Sequence, residues 1–91
     1  MADLVRILDS AYKHGIRKEE ILLLLDERNE TLRSYPLHED QDGNPQEMLV
    51  GHTGTRSWPI EIGVCYRATE PVVFHAAKLT PEFRKLYEAE P

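Results

Sequence analysis

Trp58-Pro59-Ile60-Glu61-Ile62-Gly63-Val64-Cys65-Tyr66-Arg67 changes character at every step. On an extended chain Trp58, Ile60, Ile62, Val64 and Tyr66 share one side, while Pro59, Glu61, Gly63, Cys65 and Arg67 share the other. Successive side chains of a strand point to opposite faces. This period of two therefore predicts an antiparallel strand with one face on a core. Downstream, Ala68-Thr69-Glu70-Pro71 closes a hairpin and Val72 to Ala77 forms its second arm. Upstream, Thr53-Gly54-Thr55 is a turn and Glu47 to His52 another strand. His38 to Pro45 is polar, with Asp42-Gly43 as its turn signal. Thr31 to Leu37 completes the set, with Pro36 marking an edge or a strand end.

The flanks of this meander carry a helical period. Leu4, Ile7, Leu8 and Ala11 make one apolar stripe, so residues 2–14 are expected to be a helix. Asp3 suits its start, Lys13 and His14 its last turn, and Gly15 its stop. Residues 17–28 read as a second helix, opened by Glu19 and Glu20. Its run Ile21-Leu22-Leu23-Leu24-Leu25 is wider than one stripe, which predicts burial on more than one side, under the sheet and the first helix or under a partner chain. Thr80 as cap and Pro81 at the first position open a final helix, with Phe83, Leu86 and Tyr87 as its apolar stripe. The expected fold class is α+β in a single domain, residues 1–91: two N-terminal helices, an antiparallel meander of about four strands and a short C-terminal helix.

Composition narrows the class. With 91 residues, 41% hydrophobic and 30% charged, the chain has the make-up of one small globular domain. The longest apolar run, five residues, falls far short of the roughly 20 that a membrane helix needs. The opening Met1-Ala2-Asp3-Leu4 lacks the features of a signal peptide. Cys65 is the single cysteine, which excludes an internal disulfide framework. A cytoplasmic protein is expected. The net charge of −5 is carried entirely by residues 1–47, with eleven acids against six bases. An acidic chain binds nucleic acid only through a local basic patch, and its acidic half suits a basic protein partner.

Three groups of side chains could carry chemistry. His52 and His75 lie on expected strands of one sheet, where two imidazoles near a phosphodiester can serve as general base and general acid. Lys78, Arg84, Lys85 and Tyr87 gather at the last helix, where residues 84 and 87 share a face and a phosphate can meet a helix N-terminus. Lys13, His14, Arg17 and Lys18 form the densest positive cluster of the acidic half. Cys65 reads as a small strand residue. No metal or cofactor motif is present.

Lys13-His14-Gly15-Ile16, followed by Glu19-Glu20 opening a helix, resembles the Lys-His-Gly-Val and Phe-Glu-Glu segment of BrnT-type toxins. Leu49-Val50-Gly51-His52, a turn and Ile60-Glu61-Ile62-Gly63-Val64 resemble that family's central hairpin. Val73-Phe74-His75-Ala76-Ala77-Lys78-Leu79-Thr80, with Arg84 and Tyr87, is similar to its closing strand and helix. Ala77 stands where the family usually has Arg, and the helical stripe of residues 4–11 stands where it has a first strand. The resemblance implies a RelE-like ribonuclease toxin fold, an RNA substrate and an antitoxin protein as partner. It implies metal-independent cleavage by attack of a 2′-hydroxyl on the adjacent phosphate, and it singles out Lys13, His14, Lys78, Arg84 and Tyr87. The alternative expectation is a non-catalytic interaction domain on the same fold, binding a basic partner through its acidic half and the apolar surface at Ile21–Leu25.

Overall fold

The computed structural model describes residues 5–90. Its elements run β1 (Arg6–Ile7), a 3-10 turn (Asp9–Tyr12), α1 (Lys18–Leu24), β2 (Arg33–Leu37), β3 (Gln46–Gly51), β4 (Ile60–Tyr66), β5 (Pro71–Lys78) and α2 (Pro81–Glu88). The strands form one five-stranded sheet in the order β1-β5-β4-β3-β2. From β2 to β5 it is the antiparallel meander that the alternation predicts. β1 joins β5 in parallel, pairing Arg6 with Val72 and Ile7 with Val73.

The sheet is therefore mixed and five-stranded, and the expected fold class of two leading helices on a four-stranded antiparallel sheet is corrected. Residues 5–14 do not form the expected helix; residues 2–4, its expected start, lie outside the described residues. A lone helix of a dozen residues is marginal, and the free edge of β5 offers unpaired backbone groups beside buried Val72 and Val73. Val5 and Ile7 are β-branched and suit that edge. Leu8 N donates to Val73 O at 3.0 Å, and Ser10 Oγ to Phe74 O at 2.8 Å. The helical stripe buries Ala11 by way of a strand and a tight turn instead.

The second expected helix is real but short. It stops at Leu24, with Leu25 as its C-cap. Asp26 accepts from the Arg28 amide at 2.8 Å, and Asn29 Nδ2 donates to Leu24 O and to His52 O. Such short polar side chains bond local backbone groups in competition with a helix. The apolar run is largely used internally: Ile21 and Leu24 are fully buried, while Leu23 is 44% exposed. Of the remaining residues in the run, Leu22 and Leu25 are half-buried.

Both faces of the sheet are covered, so the strands are buried on two sides rather than one. On the first face Ala11, Ile16, Ile21 and Leu24 pack on Leu49, Ile60, Ile62, Val64, Val73 and Ala76. On the second, Leu79 and Phe83 of the α2 region pack on Tyr35, Met48 and Val50. β4 and β5 slip register at Gly63/Val64: Gly63 faces His75 while Val64 faces Val73, leaving Phe74 as the extra residue of a bulge. The Phe74 ring occupies the space above Gly63, where an added Cβ would lie 2.6 Å from Phe74 Cζ. Bulges re-aim neighbouring side chains, and the neighbour here is His75.

Candidate functional site

Glu61 is the second residue of β4 and is 2% exposed. A buried carboxylate needs hydrogen-bond partners, and this one has three. Its Oε1 accepts from the Thr80 amide at 2.8 Å and from the Thr80 hydroxyl at 2.6 Å. Its Oε2 lies 2.8 Å from His75 Nε2. Burial pushes the Glu61 carboxyl up, but the bonds from His75 and Thr80 outweigh it and hold the group below the usual range. The ionised carboxylate can only accept, so His75 Nε2 carries the hydrogen. In the neutral ring Nδ1 is then left with a lone pair, on a side chain that is 28% exposed. Thr80 occupies the expected cap position of α2, yet its hydroxyl goes to Glu61 and not to its own helix.

His14 completes a pair with His75. Their ring centroids lie 5.6 Å apart, edge to face, and His14 is exposed. It follows the 3-10 turn that Ser10 anchors to β5, and Gly15 after it has φ +82°, a conformation that suits glycine. Gly15 O accepts from Arg56 Nη2 at 3.3 Å. Arg56 also lies over the Trp58 ring, 5.0 Å from its centroid, and Lys78 Nζ lies 5.4 Å from the same centroid. A line of contacts thus runs from Glu61 and His75 through His14, Gly15, Arg56 and Trp58 to Lys78, which pairs with Ile60 and so lies on the sheet face opposite His75.

Behind this line stands a second buried acid. Glu20, in the first turn of α1, has no exposed surface. Arg56 Nε and Nη2 donate to its two oxygens at 2.8 and 2.9 Å, and Thr55 Oγ1 donates at 2.7 Å. Arg17 contributes its amide at 3.2 Å and its Nε at 3.3 Å. The Arg56 bonds, against the opposing effect of burial, bring its carboxyl down to about 2.

The sequence candidates divide into two places. His14 and His75 meet, with exposed Lys13 adjoining His14, while Lys78 ends the same line of contacts on the opposite sheet face. His52 does not meet His75, because β4 separates β3 from β5 and two strand spacings put them at least about 10 Å apart. His52 instead neighbours Tyr87 at 6.2 Å between ring centroids. Tyr87 Oη donates to Thr31 O at 2.9 Å. Beside them is an open groove of about 310 Å³ lined by Glu30, Thr31, Arg33, Tyr87 and Glu90. Arg33 is engaged by Glu90 at 3.2 Å, so the groove presents carboxylates and is a poor seat for phosphate. Arg84 and Lys85 are exposed on α2. Sequence reasoning missed Glu61, Arg56 and Glu20 as site residues. An acid inside an otherwise apolar strand was the available signal for Glu61; nothing local marked Arg56.

No family model, curated protein or solved structure matches the chain. No helix among the described residues is long and apolar enough to cross a membrane.

Proposed function

We propose that this protein is the toxin component of a bacterial toxin–antitoxin pair and cleaves RNA without a metal. The observation that carries the proposal is the imidazole pair: His14 and His75 at 5.6 Å, with a buried carboxylate 2.8 Å behind His75. Two imidazoles of opposite protonation are the minimum needed to move protons in a phosphodiester transfer at neutral pH. His75 Nδ1 takes the proton from a ribose 2′-hydroxyl, and Glu61 stabilises the imidazolium that forms. The 2′-oxygen bonds to the adjacent phosphorus, the P–O5′ bond breaks, and protonated His14 gives its proton to the departing 5′-oxygen. The products are a 2′,3′-cyclic phosphate and a 5′-hydroxyl. Lys13, exposed beside His14, supplies positive charge next to the pair in an otherwise acidic molecule.

The resemblance to BrnT-type toxins adds support in one respect. That family has a strand ahead of its Lys-His-Gly, and β1 occupies that position here. The antitoxin partner is part of the same proposal.

The test is cleavage of an end-labelled RNA in the presence of EDTA. Wild type is expected to yield cyclic-phosphate ends, and His14→Ala and His75→Ala are expected to lose roughly 100-fold or more each. RNA left intact by the wild-type protein, together with no growth arrest on expression, would overturn the proposal.

A further inference from the structure

A helix start is closed by far less than what surrounds Glu20. The Arg17 amide bond at 3.2 Å already satisfies the first turn of α1. Yet Arg56 arrives from 36 residues away to make a two-pronged contact with a fully buried carboxylate. Burying such a carboxylate is costly unless its bonding is nearly complete. Here it is: the five bonds to Glu20 come from Arg17, Thr55 and Arg56. Arg56 has one more engagement, and it leaves the pair. Its Nη2 reaches Gly15 O at 3.3 Å, the carbonyl immediately after His14. The loop between β3 and β4 is thereby tied to the turn between β1 and α1 at the residue adjoining the imidazole.

We infer that the Glu20–Arg56 pair is a positioning device for His14, with Arg56 as a clamp on the Gly15 carbonyl that holds the His14 ring against His75. The inference rests on the ribonuclease proposal for its catalytic consequence, though not for its geometry. The His14 side chain is exposed and has no packing shell of its own. Its backbone is fixed on one side by the anchor at Ser10 and on the other by Arg56. Only the fork of an arginine can hold both Glu20 oxygens and a third acceptor at once; a lysine ammonium keeps the charge without that fan of donors. A displacement of about 1 Å in an acid–base group costs up to about 100-fold in rate.

The experiment compares Arg56→Lys with Met48→Ala. Lysine retains a cation beside Glu20, which makes it the mildest replacement of the pair. Met48 lies in the second core, with Gly63 of β4 between it and His75 in the sheet, so its truncation lowers stability without removing a bond of the clamp. Two readouts are taken below the unfolding midpoint of both variants: nuclear Overhauser contacts between the His14 and His75 rings, and kcat and KM for RNA cleavage. Arg56→Lys is expected to lose the ring contacts and to lower kcat about 10- to 100-fold with KM within about twofold. Met48→Ala is expected to keep both. Should Arg56→Lys unfold, the double variant Glu20→Gln, Arg56→Gln replaces the ion pair by a neutral one and enters the same comparison. Ring contacts retained in the Arg56 variants, or lost equally in Met48→Ala, would overturn the clamp. If the wild-type protein fails to cleave RNA while the ring contacts behave as expected, the clamp stands and the ribonuclease proposal falls.

Discussion

Two glutamates illustrate how much of a site can hide in single residues. Glu20 and Glu61 look like ordinary acids in the sequence, one in a helix start and one on the polar side of a strand. Both prove to be buried and fully partnered. Their pKa values fall on folding, from 4.5 to about 2 for Glu20 and in the same direction for Glu61. A lowered folded-state pKa means that the unfolded chain binds the extra proton. The stabilisation is thus fully present above the unfolded value of 4.5 and drains away as pH drops toward 2. Urea midpoints measured from pH 7 down to 2.5 should fall below about pH 4.5, and the fall should be shallower in Glu20→Gln. Gly63 makes a second prediction at this scale. With Phe74 Cζ 2.6 Å from the site of an added Cβ, Gly63→Ala must displace the ring. A loss of about 1–3 kcal/mol is expected by chemical denaturation, with part of it recovered when Phe74 is also shortened. His14 and His75 were legible as candidates one at a time, but their pairing was not. Strand order, not sequence, decides which histidines meet, and β4 stands between His52 and His75.

At the scale of elements, the strands were legible because alternation is a local property. The pattern over residues 58–67 matches β4, Ile60–Tyr66, closely. The first helix was misread for an equally physical reason. Ile7, Leu8 and Ala11 satisfy a helical stripe, but a strand followed by a 3-10 turn buries Ala11 as well and also pairs the edge of β5. That gain lies in a partner more than sixty residues away, beyond any local window. α1 offers a direct test of which leucines hold the fold. Leu24→Ala should cost about 2–5 kcal/mol, since Leu24 is fully buried. Leu23→Ala, at 44% exposure, should stay within about 0.5 kcal/mol. Guanidinium unfolding of the two variants side by side checks both. Thr80 also belongs here, because its hydroxyl joins the start of α2 to β4. Thr80→Val should weaken the fold by about 1 kcal/mol and disturb His75 through Glu61.

For the whole molecule, net charge shapes how RNA would be held. At −5 the protein cannot gather RNA by a general positive field. Lys13 is the cation adjoining the imidazole pair, since Arg56 is held by Glu20 and Lys78 lies on the sheet face opposite His75. If one or two phosphates are met, log affinity should fall against log salt with a slope of about −1 on single strands. Binding of a non-cleavable RNA across a salt series measures it, and a much steeper slope would mean that a different and larger surface is used.

β1 has a consequence of another kind. Only two of its residues are paired with β5, whereas the other four strands share ladders of five to seven pairs. Proteins open in parts as well as all at once, and the least-bonded part opens first. Release of this strand would detach the 3-10 turn and His14 from β5 while the meander stays intact. His14 is therefore carried on the most easily detached segment described while His75 stays with the meander, and the lifetime of their pairing can be much shorter than that of the fold. Amide hydrogen exchange reads this directly. The Leu8 amide, bonded to Val73 O, should exchange well ahead of the amides of β4, and slower exchange there should accompany anything that seats the turn more firmly.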